Sequence, residues 1–216
     1  MKKKRTLVSP PTPKVFEVIH ELTHRAAAAW AVWFDIHVQQ EGGGPFAMVL
    51  EIHRPFFNVI SDAQIHFTIL ILSDLFGKRQ GVHSYEFLID RCLKEGRITP
   101  KEALIYGEKL RSLAKAQRGI GILRGKYFGH KLLEIPISEV FQAAQLKIKD
   151  IDEVFKVSFW LLGRLAFACG HTNFRGSADH ELYARKSLDQ IFNYFLTKWN
   201  NIGSGSSRNK VRTESR

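Results

Sequence analysis

Apolar residues recur at three- and four-residue spacing between residues 14 and 202, and no set of segments alternates apolar with polar in the way that builds a sheet. That patterning admits helices and excludes a strand-based architecture. The helical stretches are also punctuated. In Thr99-Pro100-Lys101-Glu102 the threonine oxygen can accept the Glu102 amide, proline suits the first helical position, and the glutamate can bond back. This helix is expected to run toward His130, loosened at Gly119, Gly121, Gly125 and Gly129. Earlier helices are predicted from Lys14 to Gln40, stopping at Gly42–Gly44, and after Pro55 to Phe76, with Gly77 at the C-terminal side. Another runs from a Ser84 cap through Glu95. Asp150 and Glu153 repeat the capping logic for a helix through Ala168. A last helix spans Asp179–Trp199, where Leu188, Ile191, Phe192, Phe195 and Trp199 mark one face. Pro45–His53 reads equally as strand or helix. The expected fold is all-α: one helical bundle over residues 14–202, between a disordered basic, proline-rich arm (1–13) and a flexible basic tail (203–216).

Composition excludes other classes. With 44% hydrophobic residues, sixteen Phe and four Trp in 216 residues, the chain can bury a substantial core. Cys92 and Cys169 are the only cysteines, which points to a reduced, cytoplasmic setting and not to a disulfide framework. The start MKKKR resembles a signal peptide's charged end, but TLVSPPTPK follows where an apolar stretch would be needed, so secretion is not expected. The longest apolar runs, Ala26–Phe34 and Phe67–Leu72, fall short of the roughly 18 residues of a membrane span. No membrane association is expected.

The formal charge is +11, and its placement is informative. Residues 1–14 hold five Lys/Arg and no acid, and residues 203–216 hold four against one Glu. Arg97–Lys131 holds nine Lys/Arg against two Glu, on an otherwise mildly acidic body. A concentrated basic segment suits a polyanion such as RNA. The competing reading is a solvated helix face.

Three motifs invite catalytic readings. HELTH, His20 to His24, places two histidines one helical turn apart, where they could share a zinc with Glu21 as general base. A zinc metallopeptidase is therefore an alternative. It lacks a convincing third ligand, because His37 and Glu41 lie on the same predicted helix, and too little chain precedes His20 to build a substrate cleft. RGIGILRGKY superficially suggests a phosphate loop, but Gly119 and Gly125 are spaced wrongly, Tyr127 stands where Ser or Thr is needed, and no strand precedes it. Cys169, His171 and His180 cluster near a predicted loop without metal-ligand spacing. No metal or cofactor is expected.

The most informative string is Arg124–His130, RGKYFGH. On a helix Arg124, Tyr127, His130 and Lys131 share an arc of about a third of the circumference. The arc extends the line Tyr106, Leu110, Leu113, Gln117, Ile120, which should face another helix, so Arg124 and His130 should line an inner groove. Arginine can grip a phosphate through a planar fork of donors, and histidine can move a proton near neutral pH. The alternative is an arginine paired with a carboxylate and a histidine at a helix C-terminus.

RGKYFGH resembles the R-x(4–6)-H signature of HEPN domains. Upstream, HFTILILSDLFGKRQGVHSYEFLIDRCL resembles the family's earlier helix with its acidic L-x-D turn, a polar loop and a Ser-started helix. The likeness is to AbiU-type members of abortive-infection and toxin systems and covers roughly Phe56–Trp199, with Gly125 where many members carry a polar residue. The resemblance implies an all-α, often dimeric, metal-independent endoribonuclease. It assigns Arg124 and His130 as catalytic, Lys126 and Lys131 as substrate-binding, and RNA, a second copy and an antitoxin protein as partners; Tyr127, between them, is expected to bind substrate by stacking on a base. A non-catalytic helical module binding RNA or protein is the rival.

Overall fold

The computed structural model describes residues 11–42, 46–77, 83–125 and 137–171, with Lys186, Leu188, Gln190, Ile191 and Asn193. Among them there are eight helices and no strand: α1 Thr12–Gly42, α2 Ala47–Ile52, α3 Arg54–Leu75, α4 Tyr85–Lys94, α5 Pro100–Ser112, α6 Ala114–Leu123, α7 Ile137–Ala143 and α8 Ile148–Ala168. The protein is all-α. Residue contacts divide it into two compact units, Met1–Ala27 with His66–Ala178 and Ala28–Ile65 with Asp179–Arg216. The division falls inside α1 and α3.

Helix starts follow local chemistry. The Ser84 hydroxyl accepts the Phe87 amide at 3.2 Å. Thr99 Oγ1 accepts the Glu102 amide at 3.2 Å while the Thr99 amide donates to Glu102 Oε2 at 2.8 Å, closing the expected capping box. Three expectations are corrected and one open reading is resolved. The N-terminal arm was expected through residue 13, yet α1 starts at Thr12, because Pro13 near a helix start forfeits no needed amide bond. Pro45–His53 resolves as helix over Ala47–Ile52. Asp150 is the third residue of α8 and not its cap: the helix starts after Lys147, whose amide donates to Asp150 Oδ2 at 2.8 Å. The helix from Thr99 breaks at Leu113, ahead of the glycines expected to loosen it. There the Leu110 carbonyl accepts the Leu113 amide at 3.1 Å and the Gln117 side chain at 3.1 Å.

In the first unit, Phe16, Ile19, Leu72, Leu88, Ile120, Leu161 and Leu165 are nearly inaccessible. A polar thread crosses this core. Thr23 Oγ1 donates to the Ile19 carbonyl at 2.7 Å, and the fully buried Tyr85 hydroxyl lies 2.8 Å from Thr23 Oγ1 and 3.4 Å from the Ser158 carbonyl. Burial pushes the Tyr85 phenol well above its ordinary range despite those bonds. Cys92 and Cys169 are free thiols with Sγ atoms 3.7 Å apart. In the second unit, Ile36, Val49, Leu50, Phe57 and Leu188 form the core, and Trp33 stacks between Trp30 (4.7 Å) and His37 (5.0 Å).

Run length passed over α3. Among the described helices it is the one long and apolar enough to cross a membrane, with a window of mean hydropathy 1.3 that is 39% buried. Asp62, Gln64 and His66 interrupt its apolar residues, so no single run betrays it. The second-to-last helix of the sequence reading became α8; of the last, Asp179–Trp199, five described residues are helical and the rest lies outside them.

Candidate functional site

The line Tyr106, Leu110, Leu113, Ile120 is buried as the spacing requires, and Gln117 on it is half-buried. It delivers Arg124 to the end of α6, where Arg124 and Gly125 form a π-helical turn. Arg124 meets the end of α3 there. Its Nη1 donates to Asp74 Oδ1 at 2.8 Å and to Ser73 Oγ at 2.9 Å. The Ser73 hydroxyl in turn donates to the Leu70 carbonyl at 2.8 Å. A cation at this helix C-terminus is also favoured by the helix dipole.

Both Arg124 bonds leave from one nitrogen. Nε and Nη2 hold three further donors, and these make no bond to the described residues. The Arg124 and Asp74 side chains are 35% and 60% exposed, so their ion pair is solvent-screened and of the kind worth about 1 kcal/mol or less. A phosphate can therefore compete for this guanidinium.

Arg124 lines a groove of about 670 Å³, a size that suits a small-molecule or nucleotide-sized group. Leu72 and Ile120 belong to its apolar lining, and Ser73, Asp74, His83 and Gln117 supply polar groups. Gly77 and Gly121 lie on its lining. A Cβ at Gly77 would sit 2.4 Å from the Ser73 carbonyl oxygen, whereas one at Gly121 would meet nothing within 4 Å and would project into free space.

Of the residues singled out on the sequence, Arg124 is placed here. His130, Lys126, Tyr127 and Lys131 lie outside the described residues. Sequence reasoning missed His83, which merely precedes a helix cap and has no spacing that marks it, and it placed Gln117 on the inward line without giving it a role.

HELTH lands in a different setting. The His20 and His24 rings are 4.3 Å apart edge to face, His24 is buried against Phe159 at 5.3 Å, and Phe16 stacks on His20 at 6.0 Å. Glu21 points outward and pairs with Arg25 at 3.5 Å. Among the described residues no three His, Cys, Asp or Glu come together in a way that could hold a metal ion. His171 packs on Phe16 at 4.7 Å and Cys169 faces Cys92, so the Cys169/His171 pair is divided between two contacts; His180 lies outside the described residues.

No protein-family model matches the chain, and neither does any curated protein or solved structure.

Proposed function

We propose that the chain is a HEPN-like, metal-independent endoribonuclease of toxin or phage-defence type. The observation that carries this reading is the meeting of Arg124 with Ser73 and Asp74. Two strings singled out separately, the Arg…His motif and the Leu72-Ser73-Asp74 turn, converge on one groove and leave half of a guanidinium fork open. In this reading Arg124 Nε and Nη2 bind the scissile phosphate and stabilise the charge that builds on it. The 2′-hydroxyl attacks phosphorus, the 5′-oxygen departs, and His130 takes up or delivers a proton at one of those two oxygens. Lys126 and Lys131 attract the backbone and Tyr127 stacks on a base. A two-fold dimer would bring two such sites together and concentrate positive charge, and an antitoxin protein would be the natural restraint on the activity.

The test is cleavage of RNA in the presence of EDTA. The expected products carry a 2′,3′-cyclic phosphate and a 5′-hydroxyl, and a 2′-deoxy substrate is inert. His130→Ala is expected to lose about two to four orders of magnitude in rate while still binding RNA. Metal-dependent cleavage that ignores His130 overturns the reading.

One observation favours a second reading. Arg124 already has a carboxylate partner, as a purely structural arginine would. In that case the domain is a non-catalytic interaction module, and Arg124→Lys changes stability slightly and no reaction at all.

A further inference from the structure

We propose that the surface around Trp160 on α5 and α8 is a second contact for single-stranded RNA, built from residues that take no part in the Arg124 groove. The inference rests on RNA being the substrate class. Trp160, Arg164 and Phe167 fall within an arc of about 60° on α8. From α5, Lys109 brings its Nζ to 5.8 Å from the Trp160 ring centre, and Arg164 brings its Cζ to 5.7 Å. The Tyr106 ring supports the indole edge to face at 5.7 Å. Two cations are thus held over one aromatic ring.

Among the described residues no carboxylate lies within ion-pair distance of Lys109 or Arg164. Glu102, whose charge reaches Tyr106, is committed to the α5 cap, where its Oε2 accepts both the amide and the hydroxyl of Thr99 at 2.8 Å. The same arc ends in Phe167, which is 80% exposed. At Gly163, beside the Phe167 end of the arc, a side chain would meet nothing within 4 Å, so that flank is open to an incoming group.

Two cations with no carboxylate beside them among the described residues, next to an exposed aromatic ring, match the two needs of a single strand, charge for its phosphates and a flat apolar face for a base. An acidic peptide would use the cations but offers no base to lie on Phe167.

The test uses the full chain and a labelled 2′-O-methyl oligouridine, which cannot be cleaved through its blocked 2′-oxygen. Phe167→Ala is expected to weaken binding about tenfold. The double variant Lys109→Gln/Arg164→Gln is expected to reduce the slope of log affinity against log salt by roughly 1.4, as for two lost phosphate contacts on a single strand. All three residues are at the surface, and circular dichroism of each variant should match wild type. Affinities within twofold of wild type for both variants overturn the inference, as does displacement of the oligonucleotide by polyglutamate with the same dependence on Phe167. Cleavage distinguishes the two readings. Loss of tight binding in these variants of a chain that never cleaves RNA sinks the ribonuclease and keeps this contact. Cleavage that depends on Arg124, with binding indifferent to Phe167, does the reverse.

Discussion

HELTH on α1 and the Arg124 turn at the end of α6 are both short strings of the kind that chemistry uses, and they are received very differently. The histidines of HELTH are absorbed into packing, with His24 against Phe159 and Glu21 turned to solvent beside Arg25. Arg124 is held by one nitrogen and faces a groove, its remaining donors making no bond to the described residues. The difference lies in what other elements bring to each string. Around HELTH they bring rings, which fill space. Around Arg124 they bring a hydroxyl, a carboxylate and an opening. A motif becomes a candidate site only when its donors remain unsatisfied where a ligand can reach.

The largest expected effect breaks or makes this contrast. Arg124→Lys should slow RNA cleavage by about a hundredfold or more, because an ammonium cannot span two phosphate oxygens as the fork does. Asp74→Asn should have a smaller effect, since the amide oxygen can still accept from Nη1. Equal rates for wild type and Arg124→Lys would reduce Arg124 to the same structural status as His24.

The next effect tests the other side. His24→Ala should cost about 2 kcal/mol or more in chemical denaturation, as removal of a buried ring leaves a cavity. Glu21→Gln should change neither stability nor cleavage measurably. A loss of activity in Glu21→Gln without a loss of fold would restore HELTH as a working motif.

Tyr85→Phe sharpens the comparison within the core around α1. It removes the hydroxyl between Thr23 and Ser158 but leaves Thr23 bonded to the Ile19 carbonyl, so the expected cost is about 1 kcal/mol, read from the urea midpoint.

The smallest effect depends on pH. Glu95, after α4, accepts hydrogen bonds from Thr12 at the start of α1 and from Arg91 and Arg97, and these hold its carboxyl down at about 2 against an ordinary 4.5. The folded value lies below the unfolded one. Its stabilising contribution is therefore present above about pH 4.5 and fades as pH falls toward 2. Melting temperatures of wild type and Glu95→Gln should differ above pH 5 and converge in acid. A constant gap at every pH would show that charge plays no part in anchoring α1.

Local features were legible in the sequence. The Thr99 box and the Ser84 cap depend on residues three apart, and the all-α class follows from periodicity. The break at Leu113 was not legible, because no glycine or proline marks it; the side-chain bond from Gln117 back to the Leu110 carbonyl accompanies it without any local signal. Nor was the fate of His24, which is decided by Phe159 on a helix far along the chain. The site was half legible. Spacing alone pointed Arg124 inward, but nothing local paired it with Asp74, and His83 entered the groove unannounced.

One contact on α6 sets a tolerance for everything its C-terminal end does. Gly119 lies about 140° around the helix from Arg124, pressed against the turn after α7. A methyl group there would stand 3.0 Å from Leu146 Cδ1 and 3.1 Å from the Ala144 carbonyl oxygen. That clearance behaves like a machinist's shim. Adding a single carbon would require α6 or the turn facing it to give by tenths of an ångström, so the seating of the helix that carries the arginine is gauged from its back by a residue with no side chain.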